Sequence, residues 1–417
     1  MNARERFIEV MKYHNPDVRS LKWEFGYWGN TLNRWYREGL PRKNWAPIPD
    51  KITSVNSSLY TYTWNAENKH VKPGDYPGGY VSMAGGLYWP TQGFALDQDV
   101  KNYFHMDETQ QLIDLNLLAY PLFEPHTVYE DDDKLQYVDI DGVERLFSKK
   151  EATLACTWKV PVTDWESWTK YKEERLSLKN IRQRLPENWE EKVKEYKNRT
   201  YPLGMGGYPL GFFGTLAQLL GYDNLFLLYY DEPEMIHDMM DTFTSLWIAL
   251  FDEVLKDVEV DHVQIWEDIS FGLGCMISMD TMREFMLPYY RRLTRFLKER
   301  GVDIICVDTD GKCYDIIPFF MEAGVTAMLP FEVHCGMDVV KVREMFPDLA
   351  IMGGIPKSSI PRGKAAIDAF LEPVKKVLRT GGYIPFGDHF IPPEVPFEDF
   401  SYYRNRLNEL IDSCGVR

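Results

Sequence analysis

The chain has 417 residues, 45% of them hydrophobic, and carries a formal charge of −16 at neutral pH. That length supports a large core, and one decorated barrel accounts for it better than several average domains. The acidic balance disfavours nucleic acid and anionic membrane surfaces as partners, and no apolar run approaches membrane length.

In chain order, the start MNARERFIEVMKYHNPD is charged and amphipathic and lacks the apolar core of a signal peptide, so a cytoplasmic protein is expected. LKWEFGYW at 21–28 reads as an early strand. From about 40 to 110 the chain is rich in Gly, Pro, Trp and Tyr without periodicity, as in GDYPGGYVSMAGGLYWPTQGF. From 128 to 162, VYEDDDKLQYVDIDGVERLFSKKEATLACTWKVPV alternates in the manner of antiparallel hairpins. Both stretches read as insertions over a barrel mouth. GMGGYPLG at 204–211 matches neither GxGxxG nor GxxxxGK[ST], so close backbone approach to a ligand or a neighbouring strand is expected there instead of a phosphate loop.

The second half is regular. A long helical stretch over 223–257 is expected, with Asp231 as N-cap and Pro233 in its first turn. Then strand and helix alternate: VDHVQIWED, a helix over 278–301, VDIICVDTDG, a helix over 313–324 that Pro318 bends or shortens, and VTAMLPFEV. A helix over 337–346, LAIMGGIPK, a helix over 364–380, GGYIPFGDH and a closing helix over 397–414 complete five strand–helix units. Short loops between such units predict a parallel sheet closed by helices, an α/β barrel.

The C-terminal strand ends of such a barrel meet at one mouth, which brings Asp308, Asp310, Glu332, Asp388 and His389 together. Carboxylates with an imidazole point to a divalent metal, zinc above all. Asp308 and Asp310 are two apart, so both project to one side of an extended chain. Converging carboxylates repel, and either a bound cation or Lys312 relieves them. Each acid is also a natural helix N-cap after its strand. Glu267 and Asp268 are adjacent, so only one faces the centre, as acid, base or metal support; a cap or ion pair is the alternative. His334 and Cys335 diverge if the chain is extended, so at most one coordinates, and a turn at Gly336 with Cys335 merely packed is expected. His389, between a strand end and the Pro-rich FIPPEVP, is the stronger ligand candidate. The six cysteines (156, 275, 306, 313, 335 and 414) show no paired CxxC spacing, as reduced thiols would.

The run IPFFMEAGVTAMLPFEVHCGMDVVKVREMFPDLAIMGGIPK, followed by GGYIPFGDHFIPPEVPFEDF, resembles the uroporphyrinogen decarboxylase superfamily. That superfamily includes zinc-dependent methyltransferases that serve corrinoid proteins. The resemblance implies a (β/α)8 TIM barrel over a single domain, 1–417, and WEFGYWGNTLNRWYREGLP is similar to the methyltransferase-like branches. The decarboxylases carry an early Arg-Gln-Ala-Gly-Arg segment that pairs with tetrapyrrole carboxylates; this chain has YWGNTLNRWYREG there. Without those cations an octa-anionic porphyrinogen is repelled by an acidic mouth. The coenzyme M methyltransferases hold zinc with His-x-Cys and a later Cys. Placing that pattern on VDTDG puts Asp308 and Asp310 at the first two positions and Asp388 or His389 at the third.

Oxygen and nitrogen in place of sulfur leave a more Lewis-acidic ion, suited to an ether oxygen. The chain thus looks like the substrate-side methyltransferase of anaerobic O-demethylase systems. This implies zinc on Asp308, Asp310, Glu332 and His389, a methoxylated small-molecule substrate, and a corrinoid (cobalamin) protein as partner. Asp310 ranks above Asp308, whose carboxylate can orient a ligand instead. Glu267 or Asp268 would serve as the catalytic proton donor, and Trp266, Phe331, Tyr383 and Phe386 would hold the aromatic ring or simply pack. Two alternatives are a metal-free decarboxylase or lyase with a cation facing the pocket, and a non-catalytic corrinoid-binding relative whose acids pair with Lys312 or Lys357.

Overall fold

The computed structural model describes residues 1–43, 75, 81–82, 98–148 and 155–415. Most of the Gly- and aromatic-rich stretch read as an insertion between 40 and 110 therefore lies outside the described residues. Seven strands form the main sheet: β1 Gln111–Leu112, β2 Leu203–Gly206, β3 His262–Trp266, β4 Ile304–Thr309, β5 Ala327–Pro330, β6 Ala350–Met352 and β7 Tyr383–Ile384. Each pairs in parallel with the next in chain order. All C-terminal strand ends therefore lie at one edge of a curled α/β sheet.

Eight strands were expected, and the ladder among the described residues has seven. Residues 20–27 run between β7 and the segment that leads into β1. Ser20 Oγ donates to the Tyr383 carbonyl at 2.6 Å on one side, and Asp107 N–H to the Lys22 carbonyl at 3.2 Å on the other. Tyr27 makes a single parallel bridge to Ile391. The expected strand LKWEFGYW is thus extended but held mostly by isolated bonds. Its regular part, Tyr27–Trp28, pairs antiparallel with Val81–Ser82, outside the main sheet.

Alternation along the strands sorts two cores. Leu21, Trp23, Ile304, Cys306, Leu329 and Ile384 pack together inside the curl, while Ile305, Val307, Met328, Ile351 and Tyr383 pack outward under the helices. The glycines of 204–211 serve the approach of neighbouring strands. A Cβ on Gly204 would lie 2.3 Å from the His262 ring, and one on Gly211 would lie 1.8 Å from the Trp266 carbonyl.

Prolines set several helix boundaries. The stretch expected as one helix is two, Tyr222–Asp231 and Pro233–Asp257, so Asp231 ends the first rather than capping the second. The stretch over 278–301 likewise divides into Met279–Phe285 and Leu287–Glu299, with Pro288 in the opening turn of the latter. Pro318 occupies the first turn of Ile317–Glu322, where its missing N–H has no intrahelical partner to lose, so it does not bend the helix.

The expected hairpins form a four-stranded antiparallel sheet, His126–Glu130, Lys134–Val138, Glu144–Ser148 and Cys156–Lys159. Buried Arg145 pairs with Asp139 at 2.8 Å and donates to Gln218 and the Tyr208 hydroxyl. That ties the sheet to the loop leaving β2, at the C-terminal strand ends. Among the described residues no helix is long and apolar enough to cross a membrane.

Candidate active site at the C-terminal strand ends

The end of β3 separates two neighbouring acids. Glu267 is fully buried and faces outward, where its carboxylate accepts the N–H groups of Phe212 (2.9 Å), Phe213 (2.7 Å) and Gly214 (3.3 Å) and the hydroxyl of Tyr290. It therefore caps the N-terminus of the helix Phe212–Leu220, satisfying donors that no intrahelical carbonyl can reach. Burial pushes its carboxyl up to about 7, against the pull of those donors. Of the two roles open to it from sequence, the structure shows the cap. Asp268, in a left-handed conformation at φ 46°, turns the other way into the mouth. Burial and the charge of Glu332 push it up to about 6.

Across the mouth, Asp308 is 3% exposed inside the curl, and Asp310 lies just beyond the strand end. Burial and the charges of Asp268, Glu332 and Asp308 hold Asp310 well above the usual carboxylate range, with Lys357 opposing. His389 Nε2 stands 3.6 Å from Asp310 Oδ2. The His389 ring stacks on Phe25 at 4.7 Å, and burial keeps its imidazole neutral, with Lys357 and His334 adding to the effect. Asp388 is otherwise engaged, its two oxygens taking the N–H groups of Val333 (2.8 Å) and Lys357 (3.0 Å). Of the two residues left open by sequence, His389 is the one beside Asp310.

Glu332 follows the cis Leu329–Pro330 peptide and Phe331. Its Oε2 accepts the Gly311 N–H at 2.9 Å, joining the ends of β4 and β5, and Lys357 Nζ is 3.9 Å from Oε1. Lys312, the sequence's alternative counter-ion, is solvent-exposed and makes no ion pair among the described residues. The 3₁₀ turn Val333–Cys335, closed by Gly336 at φ +91°, curls His334 and Cys335 back towards Glu332. Ligand atoms of Glu332, His334 and Cys335 all lie within 4.8 Å of one another. The expectation that at most one of His334 and Cys335 faces a metal assumed an extended chain; Gly336 was the signal for the turn.

The four candidate aromatics divide. Phe386 packs with Phe25 inside the curl, and Trp266 packs against that inner core and edge-on to Tyr208 at 4.9 Å. Phe331 and Tyr383 lie in the outer core instead. Tyr383 does so by strand alternation, with its hydroxyl on the Gly353 carbonyl. Phe331 does so because its left-handed backbone, φ 59°, breaks the alternation that Leu329 obeys. Lys357 and Tyr222 complete the surroundings. Tyr222, whose hydroxyl is pushed up by burial and by Asp268 and Asp310, carried no periodic or motif signal in the sequence.

A family model described as uroporphyrinogen decarboxylase (URO-D) matches residues 191–410, more than half of the chain, and the chain belongs to that family. A uroporphyrinogen decarboxylase of Chlorobium phaeobacteroides is 25% identical over 48% of this chain and 58% of its own length. One of Chlorobium limicola is 27% identical over 39% of this chain and 44% of its own. The match thus spans about half the length of these relatives. A B12-independent methionine synthase structure from a Shewanella species overlaps 90% of this chain and 99% of its own at 10% identity and TM-score 0.42, too distant a likeness to bear on function.

Proposed function

Within the uroporphyrinogen decarboxylase family, we propose that this chain is a substrate-side methyltransferase, moving a methyl group from a methoxylated aromatic small molecule to a corrinoid protein. The observation that carries the reading is the carboxylate cluster of Asp268, Asp310 and Glu332 at the strand ends, in which burial and neighbouring carboxylates raise the proton affinity of Asp268 and Asp310. Such a mouth repels a polycarboxylate porphyrinogen and draws a divalent cation.

The donor types suit one, although Asp310, Glu332 and His389 would have to draw together around it, since among the described residues only the trio Glu332, His334 and Cys335 has its donor atoms all within 4.8 Å of one another. Neutral His389 beside Asp310, with Glu332 bonded to the same loop, is a mixed nitrogen and oxygen set of the kind zinc accepts. Asp310, Glu332 and His389 would hold the ion, with Asp308 orienting them from below. Bound zinc would supply Lewis acidity towards an ether oxygen, and the partner's corrinoid the nucleophile.

The chain's own residues do the rest. Asp268, held near pH 6 in its proton affinity, can carry a proton to the departing phenolate oxygen. Glu267 acts through position, fastening the end of β3 to the helix Phe212–Leu220 so that Asp268 stays turned into the mouth. Trp266 and Phe386, which pack in or against the inner core, would flank a planar ring.

The test mixes the protein with Co(I) corrinoid protein or cob(I)alamin and a panel of methoxybenzenes, methylamines and methylthiols. Loss of the Co(I) spectrum is expected with methoxylated aromatics alone, and chelation should abolish it. Uroporphyrinogen should not be decarboxylated. One observation favours a second reading: Lys357 faces the cluster, as a metal-free lyase acting on a small acid requires. Release of carbon dioxide from a small acid, unaffected by chelator, with no methyl transfer from any donor, would select it.

A further inference from the structure

We propose that the turn over residues 332–335 is a zinc-class metal site in its own right, with Glu332, His334 and Cys335 as its three protein donors. It shares Glu332 with the carboxylate set above but brings an imidazole and a thiolate that the methyl-transfer reading does not use.

The distances are close to those an ion would impose. Cys335 Sγ is 3.6 Å and His334 Nε2 4.0 Å from Glu332 Oε2. Bonds of about 2.0–2.3 Å to a tetrahedral zinc put neighbouring donors roughly 3.3–3.7 Å apart, so the trio needs only small side-chain movements. Those movements are available, because His334 is exposed and Cys335 half-buried on the surface of the turn. Glu332 is the fixed point, anchored through the Gly311 N–H.

The thiol already donates to Glu332 Oε2. A divalent ion would take the place of that hydrogen: the S–H bond breaks, its proton goes to solvent, and a metal–sulfur bond forms. One thiolate and one carboxylate then balance the two positive charges, which offsets much of the desolvation a buried ion incurs. A nitrogen, oxygen and sulfur set selects zinc or cobalt over magnesium or calcium, which prefer oxygen alone. Three protein donors leave a fourth position for water or substrate, the pattern of catalytic zinc sites rather than structural ones. Across from the sulfur the chain carries Gly272, where a Cβ would stand 4.0 Å from Sγ.

The experiment is a cobalt(II) titration of the full chain after chelator treatment, followed by thiolate-to-cobalt charge-transfer absorption and reversed by competing zinc. About one equivalent with a charge-transfer band is expected. Cys335→Ser should remove the band, and His334→Ala should weaken binding by at least 10–100-fold. Asp310→Asn and His389→Ala should keep the band, and circular dichroism should show all four variants folded. No cobalt binding, binding without the band, or a band that survives Cys335→Ser would overturn the proposal. Band-free binding lost in Asp310→Asn and His389→Ala would assign the ion to the carboxylate set, leaving the proposed function its metal. A thiolate band without methyl transfer from any donor would sink the methyltransferase reading and leave this site standing.

Discussion

Glu267 and Asp310 stand at the ends of adjacent strands, and burial raises the proton affinity of both. Their surroundings are opposite. Glu267 receives three backbone N–H groups and a phenol hydroxyl from the chain itself. Asp310 faces Asp268, Glu332 and Asp308, and among the described residues no hydrogen-bond donor reaches its carboxylate; His389 Nε2 comes nearest, at 3.6 Å. A buried acid with a raised proton affinity is thus not by itself a functional acid. What separates the two is whether the fold supplies the compensating donors or leaves them to a ligand.

The comparison breaks most visibly at Glu267. Replacing it by Ala would strand the N–H groups at the head of the helix Phe212–Leu220, which costs about 3 kcal/mol or more, since several buried neutral donors each lose a partner at about 1–3 kcal/mol apiece. Urea melts should show that loss without any change in metal binding. A melt shifted by less than a quarter of this amount would make the cap dispensable and return Glu267 to the list of functional acids.

Acidity offers the second test. Between its ordinary value of 4.5 and about 7, Glu267 keeps in the folded chain a proton that the unfolded chain has released. Its contribution is therefore complete below about pH 4.5 and is lost as pH rises through about 7, a change of about 3 kcal/mol. The measurement is the difference in unfolding free energy between wild type and Glu267→Gln across pH 4.5–8. His262, pushed down to about 4 by burial, opposes this trend in both proteins and cancels from the difference. A flat difference would mean that the four donors keep Glu267 ionised throughout.

The contrast between these acids was half legible in the sequence. Alternation sends Glu267 and Asp268 opposite ways, as their separate surroundings at the helix head and beside Glu332 reflect, and apolar runs ending in VDTDG and PFEV mark where β4 and β5 deliver their acids. The rest depended on contacts between distant segments. Nothing local announces that Glu267 meets the helix head 53–55 residues earlier. Left-handed backbone at Phe331 breaks the alternation that Leu329 obeys, and the turn Val333–Cys335 removes the extended chain on which His334 and Cys335 were expected to diverge. The segment 20–27 beside the seven-stranded sheet is likewise held by bonds that depend on its neighbours' spacing, which periodicity does not report.

At the mouth the expected effects are on affinity. Asp310→Ala or His389→Ala should weaken any ion held by the carboxylate set by at least 10–100-fold, since loss of supporting contacts alone has that effect. Metal content of the purified variants reads this directly when each is made on Cys335→Ser, which removes the thiolate of the turn site. Lys357→Met should act in the opposite direction and tighten binding severalfold, because its ammonium competes for Glu332 at 3.9 Å. Full metal retention in Asp310→Ala and His389→Ala made on Cys335→Ser would dissolve the distinction between the two acids.

The smallest effect is the most diagnostic. In metal-free protein, Asp310→Asn removes one of several like charges without stranding a donor, because no N–H group depends on that carboxylate among the described residues. Its stability should therefore hold or rise, by under about 1 kcal/mol, because the Asp310 side chain, though desolvated on its inner side, is 34% exposed. Adding zinc should reverse the order, since the wild type gains from an ion on the carboxylate set that Asp310→Asn holds more weakly and the unfolded chain does not hold. The same amide substitution at Glu267 should destabilise with or without zinc. Paired melts of Asp310→Asn and Glu267→Gln in chelator and in zinc give four numbers, and the sign change belongs to Asp310 alone. If Asp310→Asn destabilises the metal-free protein as Glu267→Gln does, its carboxylate is held by the chain, and the cluster is an ion-paired structural network rather than a place kept open for a cation.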